Sequence, residues 1–579
     1  MKILFLGRRY LYFRNFDSVI QELAARGHHI HLAAERDDIE GRPAIVDELL
    51  RACPTVTCGD APSRPDDDWS WVADRLRLGL DYLRYQHPLF DDAPKLRARA
   101  RERTPGAFVA LGVWLRAPAR WAGSTGTPWR RSLRRPTAAL VRRLERAVPE
   151  DPDIRGFIQS HKPDVVLLTP LIDLGSSQID YLRVARALRI PTALAVWSWD
   201  HLSSKALVRE CPDRVLVWNE TQKQEAIELH GVPAERIVVT GAQCFDQWFN
   251  REPSRDRATF CQGLGLPADR PYVLYVCSAL FLGSPPEAPF VLDWIRRIRA
   301  SGIPGLSNVP ILVRPHPSRT REWEGVDVAP FGDVVVHGTS PVDARSRGDY
   351  FDALYHSAAI VGVNTSAFIE GGIVGRPVHT ILLPELRENQ TGTLHFRYLL
   401  DTEGGLLEAA RDFDEHLRLL AASLTRPPSG VRPFIKAFVR PQGLEVAATP
   451  LFVRAVEELP RVRRASASAD LTAFLSRRVL AALIRRRSDP RAERWLYSER
   501  ELEVIARTRR AREQKEAHQA QLRAERDAAK QAKQAARDLE WARHRAARAA
   551  RDAEKKAARD GGKAPASAKA SADKLGRAQ

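Results

Sequence analysis

Met1-Lys2-Ile3-Leu4-Phe5-Leu6-Gly7 opens the chain, with Ser18-Val19-Ile20-Gln21-Glu22-Leu23 and Gly27-His28-His29-Ile30-His31-Leu32-Ala33 close behind. Residues 3–6 read as an apolar strand and 7–16 as a loop. Ser18 and Gln21 have capping-box spacing, in which hydroxyl and amide each satisfy a free backbone N–H at a helix start. Val19, Ile20 and Leu23 form an apolar stripe, Gly27 ends the helix, and residues 29–33 make the next strand. Strand, loop, helix, glycine, strand is the opening of an open parallel sheet, so the predicted class is α/β.

The alternation breaks over residues 65–150 and then resumes. Strands are predicted at 164–169, 192–196, 214–217 and 236–240, with helices at 177–188 and 221–230. Residues 249–270, with Pro253 and Pro267, read as an interdomain linker. A second unit follows, with strands at 272–277, 310–313, 333–336, 359–363 and 378–382. Its helices are predicted at 287–300, near 349–356 and at 366–375, with more to about residue 458. The expected architecture is two Rossmann-like domains facing a cleft lined by post-strand loops. The domains are 1–248, with a helical basic insertion at about 65–150, and 249–458. A helical extension at 459–500 and a basic tail at 501–579 complete the chain.

The 579 residues carry a formal charge of +18, and two segments hold all of it. Residues 91–150 have 14 Lys/Arg against 5 Asp/Glu, and residues 501–579 have 21 against 12. A chain built throughout to coat nucleic acid is excluded, and no specific nucleic-acid partner is expected. The insertion mixes arginines with Trp69, Trp71, Trp114, Trp121 and Trp129. Its stretch 137–148 has a basic amphipathic pattern that fits either an anionic membrane surface or a helix packed on the sheet. The tail reads as solvated and partly helical, or as a basic arm on anionic lipid or nucleic acid. Six cysteines without C-x-x-C spacing argue against a disulfide framework or structural zinc. No signal-peptide pattern or membrane-length apolar run is present, so a cytoplasmic location is expected, with peripheral attachment to the inner face of the plasma membrane as the sharper reading.

The chemistry concentrates in two loops of the second unit. Arg314-Pro315-His316-Pro317 ends a strand, and an Arg fork and a His donor both suit phosphate oxygens. Asn364-Thr365-Ser366 leads into a helix carrying Glu370, where hydroxyls and free N–H groups favour an anion and a carboxylate can hold ribose hydroxyls. Taken singly, Thr365 or Ser366 is equally a helix cap and His316 a structural histidine. Together, in one α/β unit, they predict a nucleoside-diphosphate site.

These loops, with the start at Lys2–Gly7, the segment Val239-Thr240-Gly241-Ala242-Gln243-Cys244-Phe245-Asp246 and residues 364–377, resemble glycosyltransferases of the GT-B fold. The likeness is above all to the branch holding CDP-glycerol glycerophosphotransferases and capsule or lipopolysaccharide sugar transferases. Where the glycerophosphotransferases show Asp-Tyr-Ser-Ser, this chain has Val363-Asn364-Thr365-Ser366, and the Ser-Gly-Gly-x-x-Glu-Glu pattern of sugar-nucleotide 2-epimerases is absent. The resemblance implies metal-independent transfer from a nucleotide-sugar to a polysaccharide or lipid-linked acceptor, with no cofactor beyond the donor. Arg314, His316, Asn364, Thr365, Ser366 and Glu370 would hold the donor. The first domain would supply the acceptor site through Arg8, Arg9, Trp197 and Trp199. Asp200 or His201 is the first candidate base and Asp173 the next. A glycerophospho- or phosphosugar transferase and a non-catalytic nucleotide-binding scaffold at a membrane are the alternatives.

Overall fold

The structure, a computed structural model, describes residues 1–36, 43–116, 126–281, 283–425, 432–462 and 473–560. The chain divides into two compact units, Met1–Arg500 and Glu501–Gln579.

The first unit holds two fully parallel sheets. Strands β1 (Lys2–Gly7), β2 (His29–Ala34), β3 (Val56–Asp60), β4 (Val165–Thr169), β5 (Thr192–Ala195), β6 (Arg214–Val217) and β7 (Ile237–Val239) lie in the order β3-β2-β1-β4-β5-β6-β7. Strands β8 (Val273–Val276), β9 (Ile311–Arg314), β10 (Val334–Val336), β11 (Ala359–Val361), β12 (Val378–Ile381) and β13 (Leu407–Ala410) lie in the order β10-β9-β8-β11-β12-β13. Central strands read as continuous apolar runs because helices cover both faces, and Val165–Leu168 of β4 is wholly buried. The register sets Ile3 between Ile30 and Val165, and Phe5 packs edge-on against Phe13 (5.2 Å) and Phe16 (5.1 Å). This is the GT-B arrangement of two Rossmann-like domains.

Several local expectations are corrected. Ser18 makes no capping box: the helix begins at Asp17, and the Ser18 hydroxyl meets Thr449 Oγ1 at 2.8 Å. Inside the predicted linker, Asp256 accepts from the Thr259 N–H and starts a helix at Arg257–Leu264. Residues 407–410, expected in a helical run, form edge strand β13. The helix Ala448–Glu458 returns to the first sheet, where Phe452, Val453 and Val456 share a core with Phe16 and Ile20. Asp246 fixes that return, accepting from the backbone of Ala448 (3.0 Å) and Thr449 (2.6 Å) and pairing with Arg440 (2.9 Å). Gly241 is required there: its φ is +88°, and a Cβ would lie 2.7 Å from that of Ala448.

The insertion packs on the first sheet. Val141 and Val148, from the amphipathic stretch, are buried with Trp71, Leu76 and Leu80, whereas Leu140 stays exposed. Trp121 and the side chain of Trp129 lie outside the described residues. From Arg507 to Arg559 the helix Glu499–Asp560 exposes its side chains. Among the described residues no helix is long and apolar enough to cross a membrane.

One face of the insertion helix Asp68–Arg84 carries Arg77, Asp81 and Arg84, all buried. Asp81 accepts from both sides of the fold: Arg209 (2.9 and 3.0 Å), the Gly175 N–H (3.0 Å) and the Leu207 N–H (3.0 Å). Arg77 pairs with Glu145 (2.9 Å) and Asp180 (2.6 Å), and Arg84 donates to the carbonyls of Leu202, Ser203, Lys205 and Ala206. Burial pushes the Glu145 carboxyl up, but Arg183 and Arg77 together overcome it and hold it at about 2. Removing one partner of a buried pair strands the other charge. Asp81→Ala is therefore expected to destabilise this unit by about 3–5 kcal/mol in chemical denaturation, with partial recovery in Asp81→Ala/Arg209→Met.

Candidate functional site

Each sheet reverses its strand order once, between β1 and β4 in the first and between β8 and β11 in the second. Open parallel sheets present a crevice at such points, outside the carboxyl ends of the two strands. The candidate residues gather at both.

In the second sheet the two loops at the reversal are tied directly: the Asn364 N–H donates to Ser278 Oγ at 3.0 Å. Asn364 Nδ2 donates to the Asn389 carbonyl at 2.5 Å, so the side chain is committed to bracing the loop. Gln390 continues the brace, its Nε2 donating to the carbonyls of Val363 (3.2 Å) and Ile381 (3.0 Å). Thr365 Oγ1 accepts from the Ala367 N–H at 3.3 Å and caps the short helix Ala367–Ile373. Ser366 is exposed and makes no side-chain cap.

Arg314 does not reach freely past its strand. It is 4% exposed, stacks over the Tyr350 ring at 4.9 Å and donates to the Thr339 carbonyl at 3.0 Å. Gly338 makes room, since a Cβ there would sit 2.7 Å from the Arg314 side chain. The Tyr350 hydroxyl donates in turn to Glu370. Arg314, Tyr350 and Glu370 form one unit, and Tyr350 was invisible to motif reading because it lies mid-helix. Burial pushes the Glu370 carboxyl up to about 7, opposed by the Tyr350 hydrogen bond and by Arg14 and Arg314. His316 Nδ1 accepts from the Ser318 N–H at 3.2 Å, which leaves Nε2 as the protonated nitrogen of the neutral ring. Its pKa is lowered by burial, then by Arg319 and Arg14. Arg14 thus sets the field on both His316 and Glu370 from the opposite domain.

Glu287, a further residue missed by motif reading, accepts from the Ser278 N–H (2.6 Å) and the Tyr275 hydroxyl (3.0 Å). Burial raises its pKa to about 7. Its only sequence signal is its place after Pro285-Pro286 at a helix start.

At the reversal of the first sheet lies a cavity of about 430 Å³. Arg8, Arg9, Asp173 and Trp197 line it, as does Tyr12, whose ring meets Trp197 edge-on at 5.1 Å. Arg8 pairs with Asp173. Burial and then Asp173 push the Tyr12 hydroxyl up to about 12. The other candidates stand behind this wall. Trp199 is buried, edge-on to His395 at 4.7 Å, so it is core and not a platform. Asp200 accepts from Ser198 (2.6 Å) and Ser204 (2.7 Å) and pairs with Lys205 (3.1 Å). These partners outweigh burial and hold it well below the usual carboxylate range, which makes it a poor proton acceptor. His201 is fully buried, donates from Nε2 to the Pro170 carbonyl at 2.9 Å, and is kept neutral by burial, with a pKa lowered to about 3. Both fix the loops; neither faces the cavity. Asp173 does.

Among the described residues no group of three or more His, Cys, Asp or Glu is placed to hold a metal ion. Asp151-Pro152-Asp153, which has metal-motif spacing, is a helix cap in which Asp151 accepts from the N–H of Asp153 and Ile154.

No protein-family model matches the chain, and no curated protein matches it. Solved structures do. The UDP-GlcNAc 2-epimerase of Methanocaldococcus jannaschii, in complex with UDP-GlcNAc and UDP, is 13% identical, aligning 79% of this chain with 99% of that one at a TM-score of 0.43. A glycosyltransferase from Rickettsia africae is 11% identical over 84% of this chain and 99% of its own, at 0.40. The S. aureus MnaA–UDP structure is 9% identical over 81% and 99%, at 0.45. The fold assignment rests on the sheet topology described above.

Glu370 gives this site a pH signature. A carboxyl raised from an unfolded value near 4.5 to about 7 makes the folded state bind the extra proton between those values. That contribution is complete below pH 4.5 and is lost as pH rises through about 7. Glu370→Gln is expected to shrink the fall in unfolding free energy between pH 5 and pH 8 by about 1 kcal/mol, allowing for partial exposure, as read from denaturation at each pH.

Proposed function

We propose that the chain is a glycosyltransferase that binds a nucleotide-sugar at the reversal of the second sheet. There it transfers the sugar to a polysaccharide or lipid-linked acceptor held by the first domain. The observation that carries this reading is the convergence of Arg314–Tyr350–Glu370, His316 and the Ser278–Asn364 loops at one crevice, with Arg14 acting on it from across the cleft.

In this reading Glu370, seated on Tyr350, accepts from the ribose hydroxyls. His316 Nε2–H and Arg14 face the diphosphate and stabilise the charge that develops as the glycosidic C–O bond to the leaving nucleoside diphosphate breaks. Arg314 is a positioning residue, holding Tyr350 and through it Glu370. Among the described residues Asp173 is the only carboxylate lining the first-domain cavity, and it takes the proton of the attacking hydroxyl. The braces at Asn364 and Gln390 keep the donor loop rigid, as a preorganised site requires.

A thermal-shift titration with UDP, CDP, GDP, ADP and CMP tests this. Saturation at about 100-fold over Kd stabilises the folded state by about 2.7 kcal/mol. One nucleoside diphosphate is expected to raise the transition of the wild type and to lose most of that effect in His316→Ala. A CDP or CMP preference would move the assignment to glycerophospho- or phosphosugar transfer, and no shift with any nucleotide would remove the donor site.

A further inference from the structure

Among the described residues, the cavity at the reversal of the first sheet is lined by five arginines and one carboxylate. Arg8 and Arg9 follow β1, Arg14 lies in the turn Tyr10–Phe16, and Arg36 follows β2. Arg103 arrives from the insertion after the helix Pro94–Glu102, and Asp173 follows β4. Four chain segments therefore bring guanidinium groups to one space of about 430 Å³. Like charges so concentrated repel one another; Asp173 pairs with Arg8, and the buried Glu35 interacts with Arg8 and Arg36. The indole N–H of Trp197, also in this wall, is buried and has no hydrogen-bond partner.

From this we infer that the cavity binds a multiply charged phosphate group, a phosphate monoester or diphosphate, carried by the second substrate. The inference rests on the proposal that the nucleotide donor occupies the second domain, and it names the chemistry of the acceptor. Planar guanidinium forks match phosphate oxygens in pairs, and two or three negative charges offset much of the excess over Asp173. A cavity of this volume admits a diphosphate with part of a sugar, and the Tyr12–Trp197 wall offers an aromatic face to that sugar. Arg14 connects the two sites, lining this cavity while its charge acts on His316 and Glu370. An acceptor anchored here by its phosphate thus presents its hydroxyl between Asp173 and the donor. The insertion supplies Arg103, which gives part of its basic composition a task inside the cleft.

Inorganic pyrophosphate is the probe, titrated calorimetrically into the full-length wild type, His316→Ala and Arg9→Gln/Arg36→Gln. Pyrophosphate is expected to bind the first two alike and the arginine variant about 100-fold more weakly, at about tenfold per guanidinium removed. The arginine variant should keep the wild-type thermal transition without ligand, because neither side chain belongs to the core. Retention of binding in Arg9→Gln/Arg36→Gln with loss in His316→Ala would seat the anion at the donor loops and overturn the inference, as would absence of binding in all three. A nucleotide shift preserved in the arginine variant while pyrophosphate binding is missing everywhere sinks this inference alone. The pyrophosphate pattern without any nucleotide shift sinks the donor assignment alone. A short prenyl diphosphate binding more tightly than pyrophosphate identifies a lipid-borne phosphate, and equal binding of a hexose 6-phosphate a soluble one; either ranking supports the site.

Discussion

Asp81 is the point on which the cleft depends. Its carboxylate is buried at the junction of the insertion, the loop after β4 and the segment leading to Arg209, and its three hydrogen-bond donors, which make four bonds, all come from outside its own helix. A carboxylate has about four acceptor positions, so Asp81 is saturated. Desolvating it is costly, and the cost is met only when Gly175, Leu207 and Arg209 are all in place. The same constraint fixes Asp173, two residues before Gly175. Arg84 does similar work one turn on, donating to the carbonyls of Leu202, Ser203, Lys205 and Ala206 in and after the short helix His201–Ser204. The insertion is thus a buttress for the loops that line the cavity of the first sheet.

The second domain solves the same problem without an insertion. Its reversal loops are clamped by neutral groups, through Asn364 on Ser278 and Asn389, and Gln390 on Val363 and Ile381. Charge enters through the unit Arg314–Tyr350–Glu370, through Glu287, and through the Arg319–Glu322 pair, whose guanidinium donates to the carbonyls of Ala279 and Pro285. The two domains therefore differ in chemistry as well as topology. The first presents a dense positive cavity on an ion-pair framework. The second presents a hydrogen-bonded cradle with two carboxyls whose burial raises them toward neutral pH.

The central strands and the loops that follow them were legible because a buried parallel strand is a continuous apolar run and its ligand-binding loop comes directly after it. Two of the four edge strands were not: Leu407-Glu408-Ala409-Ala410 and Val56-Thr57-Cys58-Gly59-Asp60 carry no such run, unlike β7 and β10, and are strands only because β12 and β2 pair with them. Periodicity also misleads on the helix Asp68–Arg84. Arg77, Asp81 and Arg84 share a face that composition assigns to water, yet that face is buried by ion pairing no local pattern encodes. Trp199 and Asp200 fail as site residues for the converse reason. Their types suit sugar binding and proton transfer, but Phe245, Phe396 and Phe438 share the core with Trp199, and Ser198, Ser204 and Lys205 occupy Asp200. Residue type after a strand locates a site; which side chains face it is decided by packing across the sheet.

The field in the cleft follows from that packing. Glu35 and Glu370 lie beside its arginines, Glu35 near Arg8 and Arg36 and Glu370 near Arg14 and Arg314. Fully ionised, they would cancel much of the positive charge. Burial instead raises both to about 7, against the pull of Ser177 and the arginines on Glu35 and of Tyr350 and the arginines on Glu370. Near neutral pH each carboxyl is thus only partly charged, and the arginines keep their attraction for a phosphate without an internal counter-ion in full competition. A buried acid that is partly protonated leaves the neighbouring guanidinium groups less fully neutralised than Arg77 and Arg183 are around Glu145, which they keep ionised at about 2. The same two residue types thus meet in different balances: at Glu145 the arginines outweigh burial, and at Glu35 and Glu370 burial outweighs the arginines.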